Sequence, residues 1–354
     1  MKNTFKFFTF SVAFLLIPNL FYAQKNLVAK YWNLINKAEL SIIQGDYPVA
    51  LLHYDSAFAL NIVKSAHDLY NASLSANYCE QFSKTRKYCE ELIKMGTNFD
   101  FFNKKQVYDP FRKSEYWAGF ELDYQQEKIV PVNIDKALKE RIEPLFFLDQ
   151  EIRMKRKDKS INQEDLKITI RSRDDSIFNI FSEIVKRYGY PSESKIGVFQ
   201  EDTSFFSVSQ DIIIRHAYQN NNFSLTDRLK ECVFEGTLSP EQFMAWYMFE
   251  IERKEKKFWG PIEPYIAVNK NIYFESPKPE WMASINKNRG SLMLCSFDDM
   301  CKKIIYHYFG GGQQKGFRFR GGGLAVFGVF PIEEEAEIAK ILTKTIYTYS
   351  ADSK

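Results

Sequence analysis

From Asp175 to Tyr188, apolar residues at 177, 180, 181, 184, 185 and 188 stand out. That spacing repeats about every 3.6 residues and gives one continuous face of an α-helix. Gly189 comes next as a residue that can end a helix at positive φ, and Pro191 prevents its resumption. Similar punctuation recurs downstream. Ser224 and Asp227 predict the capped start of a helix that ends at Gly236. Ser239-Pro240-Glu241-Gln242 supplies a capping serine, a proline at the first helical position and a glutamine three residues on. The helix it opens carries Phe243, Trp246, Tyr247 and Ile251 inward and pairs Glu252 with Lys256 outward. A chain punctuated in this way is predicted to be mainly α.

Upstream, residues 25–95 read as helical hairpins. Gly45 sits where a positive φ is cheap. Asp46-Tyr47, Ala50, Tyr54 and Ala57 then alternate small and large residues where two helices must touch. This pattern resembles the tetratricopeptide repeat, with Ala38 at the small position of its first helix. A shift by that family's period of about 34 residues brings Ala38 onto Ala72 and Tyr54 onto Tyr88. It also sets Lys84 on Ala50 and Glu91 on Ala57, so the second unit is degenerate. Such units need neighbours to bury their faces, so the pair is expected to dock on the segment C-terminal to it.

Residues 97–145 are aromatic-rich, with Phe99, Phe101, Phe102, Tyr108, Phe111, Tyr116 and Trp117, and read as a packed connector. A helix capped by Asp135 runs to Arg141, and Pro144 falls in its continuation. Beyond 262 the chain is looser, with Pro264, Pro277 and Pro279 and short apolar runs of strand type. A helix is expected from Asp298 to Phe309. The alternating Phe317-Arg318-Phe319-Arg320 and the run Leu324–Phe330 fit a hairpin, and Pro331 opens a last helix. The glycine triplets at 310–312 and 321–323 lack the Gly-Lys-Ser/Thr ending of a phosphate loop and the strand–helix setting of a dinucleotide fingerprint. They read as flexible turns, and no cofactor is expected.

The first 23 residues have the pattern of a secretory signal: Lys2 and Lys6, an uncharged apolar run from Phe7 to Phe21, and cleavage after Ala23. Pro18 and a run shorter than the roughly 20 residues of a span argue against an anchor helix. Export to the periplasm or beyond is therefore expected, with no integral membrane segment left after signal removal. The signal takes two lysines with it and leaves 46 basic residues against 45 acidic. A near-neutral chain has no general electrostatic reason to bind nucleic acid. The basic run Arg153–Lys159 reads as a solvated helix end. Of the five cysteines, Cys79 with Cys89 and Cys295 with Cys301 are sterically conceivable disulfides, with buried free thiols the alternative. None has the spacing of a zinc site.

Through the middle of the chain run Asp149-Gln150-x-x-Arg153, Tyr188-Gly189-Tyr190-Pro191, Ile196-Gly197, Ile214-Arg215-His216-Ala217 and the pair Glu252-Arg253. Their order resembles a bacterial family of unknown function marked by a DQ-x-x-R helix, a YGWP turn, a QHA helix and a DR helix followed by a YGTQ-like segment. The resemblance covers about residues 145–261 and brings no activity with it. Arg215 stands where that family tends to have Gln, Tyr190 replaces Trp and Glu252 replaces Asp. The closing segment is Phe258-Trp259-Gly260-Pro261, without Thr-Gln. These departures touch the polar positions on which chemistry would depend.

The chain thus divides into a signal peptide (1–23), tetratricopeptide-like hairpins (24–96), the connector (97–145), a central helical domain of unknown function (146–261) and a small C-terminal α+β extension (262–354). Two functions remain open. One is an exported envelope protein that binds or scaffolds a protein or peptide through a groove between the hairpins and the central domain. The other is an exported hydrolase-like enzyme, with His216 as general base, Asp149 or Glu252 orienting it and Arg153 holding an anionic substrate. No Gly-x-Ser-x-Gly elbow supports the second, and Cys232 reads as a small core residue. Metal binding lacks any His-x-x-x-His or His-x-x-Glu spacing.

Overall fold

The computed structural model describes residues 4–158, 160–198, 210–254, 265–267, 272–274, 279–308, 315–319, 329–330 and 347–349. The chain is mainly α. It opens with α1 (Thr4–Gln44), α2 (Tyr47–Phe58), α3 (Ala66–Tyr78) and α4 (Phe82–Lys94), which pack as two successive hairpins, α1 on α2 and α3 on α4. Gly45 makes the first turn at φ 80, and the Asp46 carboxylate caps α2 by accepting from the Val49 amide at 3.1 Å. Ala38, Ala50, Ala57 and Ala72 are fully buried, with Tyr54 and Tyr88 as the large partners beside them. Lys84 and Glu91, which break the repeat pattern, serve otherwise. Lys84 reaches Asp55 at 2.7 Å and Glu91 holds Lys64 at 2.5 Å, so charge pairs tie α4 to α2 and to the link after it.

The aromatic stretch shares the hairpins' core. It forms α5 (Phe99–Lys104), a 3-10 turn (Gln106–Tyr108), α6 (Asp109–Arg112) and α7 (Glu115–Gln125). Phe101, Phe102, Tyr108, Phe111 and Phe120 are all fully buried with Tyr31, Tyr54 and Tyr70. Their rings meet largely edge to face, the geometry that brings a positive ring edge onto a negative face.

A second core begins with α8 (Lys136–Met154), capped by Asp135 through the Leu138 amide at 2.9 Å. The helix continues through Pro144 and across position 145, so Leu138 and Ile142 already belong to the central core. Next comes α9 (Gln163–Tyr188), which starts well before Asp175 because Asn162 caps it. It ends as expected at Gly189, with φ 77. The rest of the central layer is α10 (Glu193–Ile196), α11 (Gln210–Gln219), α12 (Thr226–Glu235) and α13 (Pro240–Arg253). Ser239 caps α13 by accepting from the Gln242 amide at 3.1 Å. The Gln242 side chain does not close the box. It donates instead to Asp211 and ties α13 to α11. Ser224 does not cap α12 either. Its hydroxyl bonds to Asn222, and Leu225 occupies the cap position. Gly236 ends α12 at φ 79, where an added Cβ would lie 3.1 Å from Val28 and 3.2 Å from Ile62. The central layer thus meets the hairpins at a point where a side chain would strain the backbone and crowd Val28 and Ile62.

The C-terminal part adds α14 (Pro279–Ser291) and α15 (Phe297–Tyr308). Short strands β1 (Tyr265–Ala267), β2 (Ile272–Phe274), β3 (Val329–Phe330) and β4 (Tyr347–Tyr349) pair in the order β3-β1-β2-β4. Of the expected hairpin, Gly316–Phe319 is not a strand, β3 pairs parallel with β1, and positions 320 and 324–328 lie outside the described residues. The expected helix after Pro331 and the Glu252–Lys256 pair lie outside the described residues. A buried ion pair fastens α15 to α1, with Lys303 Nζ 2.6 Å from Glu39 Oε2. All five cysteines are free thiols, with Cys89, Cys232 and Cys301 buried. Among the described residues no helix is long and apolar enough to cross a membrane.

Candidate functional site

Three places on this scaffold concentrate polar chemistry. The first joins α8, α9 and α11. His216 Nδ1 shares a hydrogen bond of 2.8 Å with Asp149 Oδ1. Arg153, one turn along α8 from Asp149, reaches the same oxygen with Nη1 at 3.1 Å. Its other terminal nitrogen donates to both oxygens of Asp174, at 2.8 and 2.9 Å. Asn220 donates to Asp174 at 3.1 Å, and the Gln150 amide donates to the second oxygen of Asp149. Asp149 is 1% exposed and Asp174 is 5% exposed, so both carboxylates have exchanged water for these partners.

Three of the four expected residues therefore converge, and the fourth does not. Glu252 is exposed at the end of α13 and takes no part in the network. The buried acid of that helix is Glu250, which accepts from Thr226 at 2.6 Å and pairs with Lys254 at 2.5 Å. Asp174 and Asn220 were not anticipated. Asp174 had a signal: it lies on the apolar stripe of α9, between Ile170 and Phe178. A carboxylate on a buried stripe requires a cation, and Arg153 is that cation.

Potential ligand atoms of Asp149, Asp174 and His216 lie within 4.8 Å of one another. Spacing along the chain could not reveal this trio, because three helices contribute it. The Arg153 guanidinium bridges the two carboxylates, so a metal ion would have to displace a cation the chain supplies itself.

The second place is a small cleft, with a cavity of about 30 Å³, where the hairpins meet the central layer. Trp32 and Lys64 line it from one side, and Tyr190, Glu193, Gln210 and Gln242 from the other. Ser65 caps α3 at its rim, and the Glu193 carboxylate accepts from the Ala66 amide at 2.8 Å, so that helix start is already satisfied. His216 does not line this cleft.

The third place is the face of the hairpins formed by α3 and the start of α2. Residues 315–319 lie along it without regular secondary structure beyond position 315. The Asn71 side chain grips Arg318 at both backbone groups, accepting from its amide at 3.0 Å and donating to its carbonyl at 2.6 Å. The Tyr70 hydroxyl donates to the Gly316 carbonyl at 2.9 Å, and the Tyr78 hydroxyl to that of Lys315 at 3.0 Å. Burial raises the pKa of both phenols, Tyr78 to about 12, so each stays a protonated donor. The Phe317 ring stacks on Tyr47 at 5.6 Å and lies tilted against Tyr78 at 5.5 Å, and Phe319 stacks on Tyr306 at 5.1 Å. No pattern in the hairpins marked Asn71, because its partner is backbone far along the chain.

No protein-family model, curated protein or solved structure matches this chain.

Proposed function

We propose that this chain is an exported envelope protein acting as a binding module, with the helical hairpins as its contact surface. The observation that carries the reading is the Asn71 grip on the backbone of Arg318. Side chains that satisfy both backbone groups of one residue hold an extended chain whatever its sequence, and flanking pockets then select side chains. Export rests on the Lys2 to Ala23 pattern. Ala23 and Gln24 are exposed, and from Ala23 onward the first buried residue of α1 is Val28, so cleavage there would spare the packed residues from Val28 onward. The test is selection of displayed random peptides on the purified full chain. An enriched extended motif is expected, and it should vanish on Asn71→Ala. Failure of both the wild type and a Phe317→Ala, Phe319→Ala variant, which removes the resident aromatic side chains, to enrich any motif over the Asn71→Ala background would count against the reading.

The 2.8 Å contact between His216 and Asp149 favours a second reading, a hydrolase-like site with the imidazole oriented by a buried carboxylate. Glu252 has no role in it. On this reading the chain turns over a member of an ester and amide panel, and His216→Gln removes the turnover without changing the fold. A panel left untouched by the wild type rejects it.

A further inference from the structure

Residues 315–319 bind the hairpins in the manner of a peptide ligand. Backbone groups of Lys315, Gly316 and Arg318 are satisfied by side chains of α3, not by neighbouring strands. Its alternate side chains enter aromatic slots, leaving Phe317 at 1% and Phe319 at 5% exposed. The Arg318 side chain between them is exposed. Gly316 adopts φ 77, and an added Cβ would lie 2.8 Å from Val107, so the slot before the first aromatic accepts only glycine. Lys315 places its ammonium 2.8 Å from the Tyr47 hydroxyl. In the sequence the segment is bracketed by the glycine triplets 310–312 and 321–323.

We propose that the α2–α3 face, with Tyr306 of α15 beside it, is a recognition site for extended Gly-aromatic-x-aromatic segments of a partner protein, and that residues 315–319 occupy it in cis as a competing plug. The inference rests on the binding-module reading and adds the motif and its regulation. Backbone hydrogen bonds supply affinity and the two aromatic slots supply specificity. A tethered segment acts at an effective concentration of order millimolar. A partner segment of the same intrinsic affinity is therefore held off until it brings further contacts or the plug is released.

The test uses the full chain and a fluorescein-labelled peptide copying residues 314–321, followed by anisotropy. The plug is released by two sets of substitutions confined to its own residues: Phe317→Ala with Phe319→Ala, and Gly316→Val. Each variant is checked for unchanged helix content by circular dichroism. Both are expected to bind the peptide at least about tenfold more tightly than the wild type. Asn71→Ala on either background should abolish binding, and so should a peptide with both phenylalanines replaced by alanine. Folded released variants that ignore this peptide, yet still select other peptides in an Asn71-dependent way, overturn the motif and leave the binding module standing. If they select nothing at all, the binding module falls with it. Equal affinity for wild type and released variants rejects the plug. A wild-type dimer that excludes the peptide assigns the groove to a second copy and overturns the partner.

Discussion

Replacing Asp149 with alanine is expected to lower folding stability by about 3–5 kcal/mol, the usual cost of removing one partner from a buried charge pair. The size reflects the groups left behind. Asp149 receives His216, Arg153 and Gln150, and its removal takes a carboxylate acceptor from three side chains in a region where Arg153 is only 14% exposed. Arg153 would keep Asp174 and, through Nη1, the backbone carbonyl of residue 149 at 2.8 Å, so the loss is concentrated on the imidazole. Asp149→Asn should cost less, since an amide oxygen still accepts from one of them. Urea denaturation of the three proteins measures the effect. A loss below about 1 kcal/mol for Asp149→Ala would mean that water replaces the carboxylate and that the network is not a structural clamp. The experiment also separates the two functions. A clamp predicts that His216→Gln, which removes only one arm, destabilises by a fraction of the Asp149→Ala loss.

How much of this was legible beforehand depends on the range of the interaction. Gly45, Gly189, Gly236 and the caps Asp135 and Ser239 act within one turn of the chain, and the sequence alone locates them. Ser224 failed as a cap because α12 begins at Thr226, which puts Leu225 at the cap position and leaves the Ser224 hydroxyl to donate to Asn222. On α13 the periodicity itself favours Glu250 over Glu252, since 243, 246, 247, 250 and 251 make the buried stripe. The family-like pair at 252–253 drew attention to the wrong acid. Alternation at 317–320 suggested a strand, but residues 317–319 are not one, and pleating says nothing of their partner. Here the partner is the side-chain edge of a helix, not a strand. Asp174 and Asn220 required knowing that α8, α9 and α11 meet.

The second large effect lies at the Glu39–Lys303 pair, which sits 2% and 3% exposed between α1 and α15. Burial pushes Glu39 up to about 7, against the pull of Lys303 and helped by Glu241 and Asp68. Burial draws Lys303 down, but Cys295, Glu39 and Glu241 outweigh it and hold the ammonium protonated. Lys303→Met therefore leaves Glu39 buried with acids and no cation, at an expected cost of about 3–5 kcal/mol. Adding Glu39→Leu should recover most of that loss, because two apolar side chains need no partner. The pH dependence has a definite sign. The folded-state value of Glu39 exceeds the ordinary 4.5, so between 4.5 and about 7 the folded protein holds a proton that the unfolded chain has released. Stability should fall as pH rises through that interval, by a Glu39 contribution on the order of 3 kcal/mol. Glu39→Gln keeps the shape without the titration, so its stability profile should lack that decline. Urea midpoints at closely spaced pH values compare the two proteins. Parallel profiles would show that Glu39 stays ionised throughout, leaving Lys303 as a strong counter-ion and the interface between α1 and α15 insensitive to mild acid.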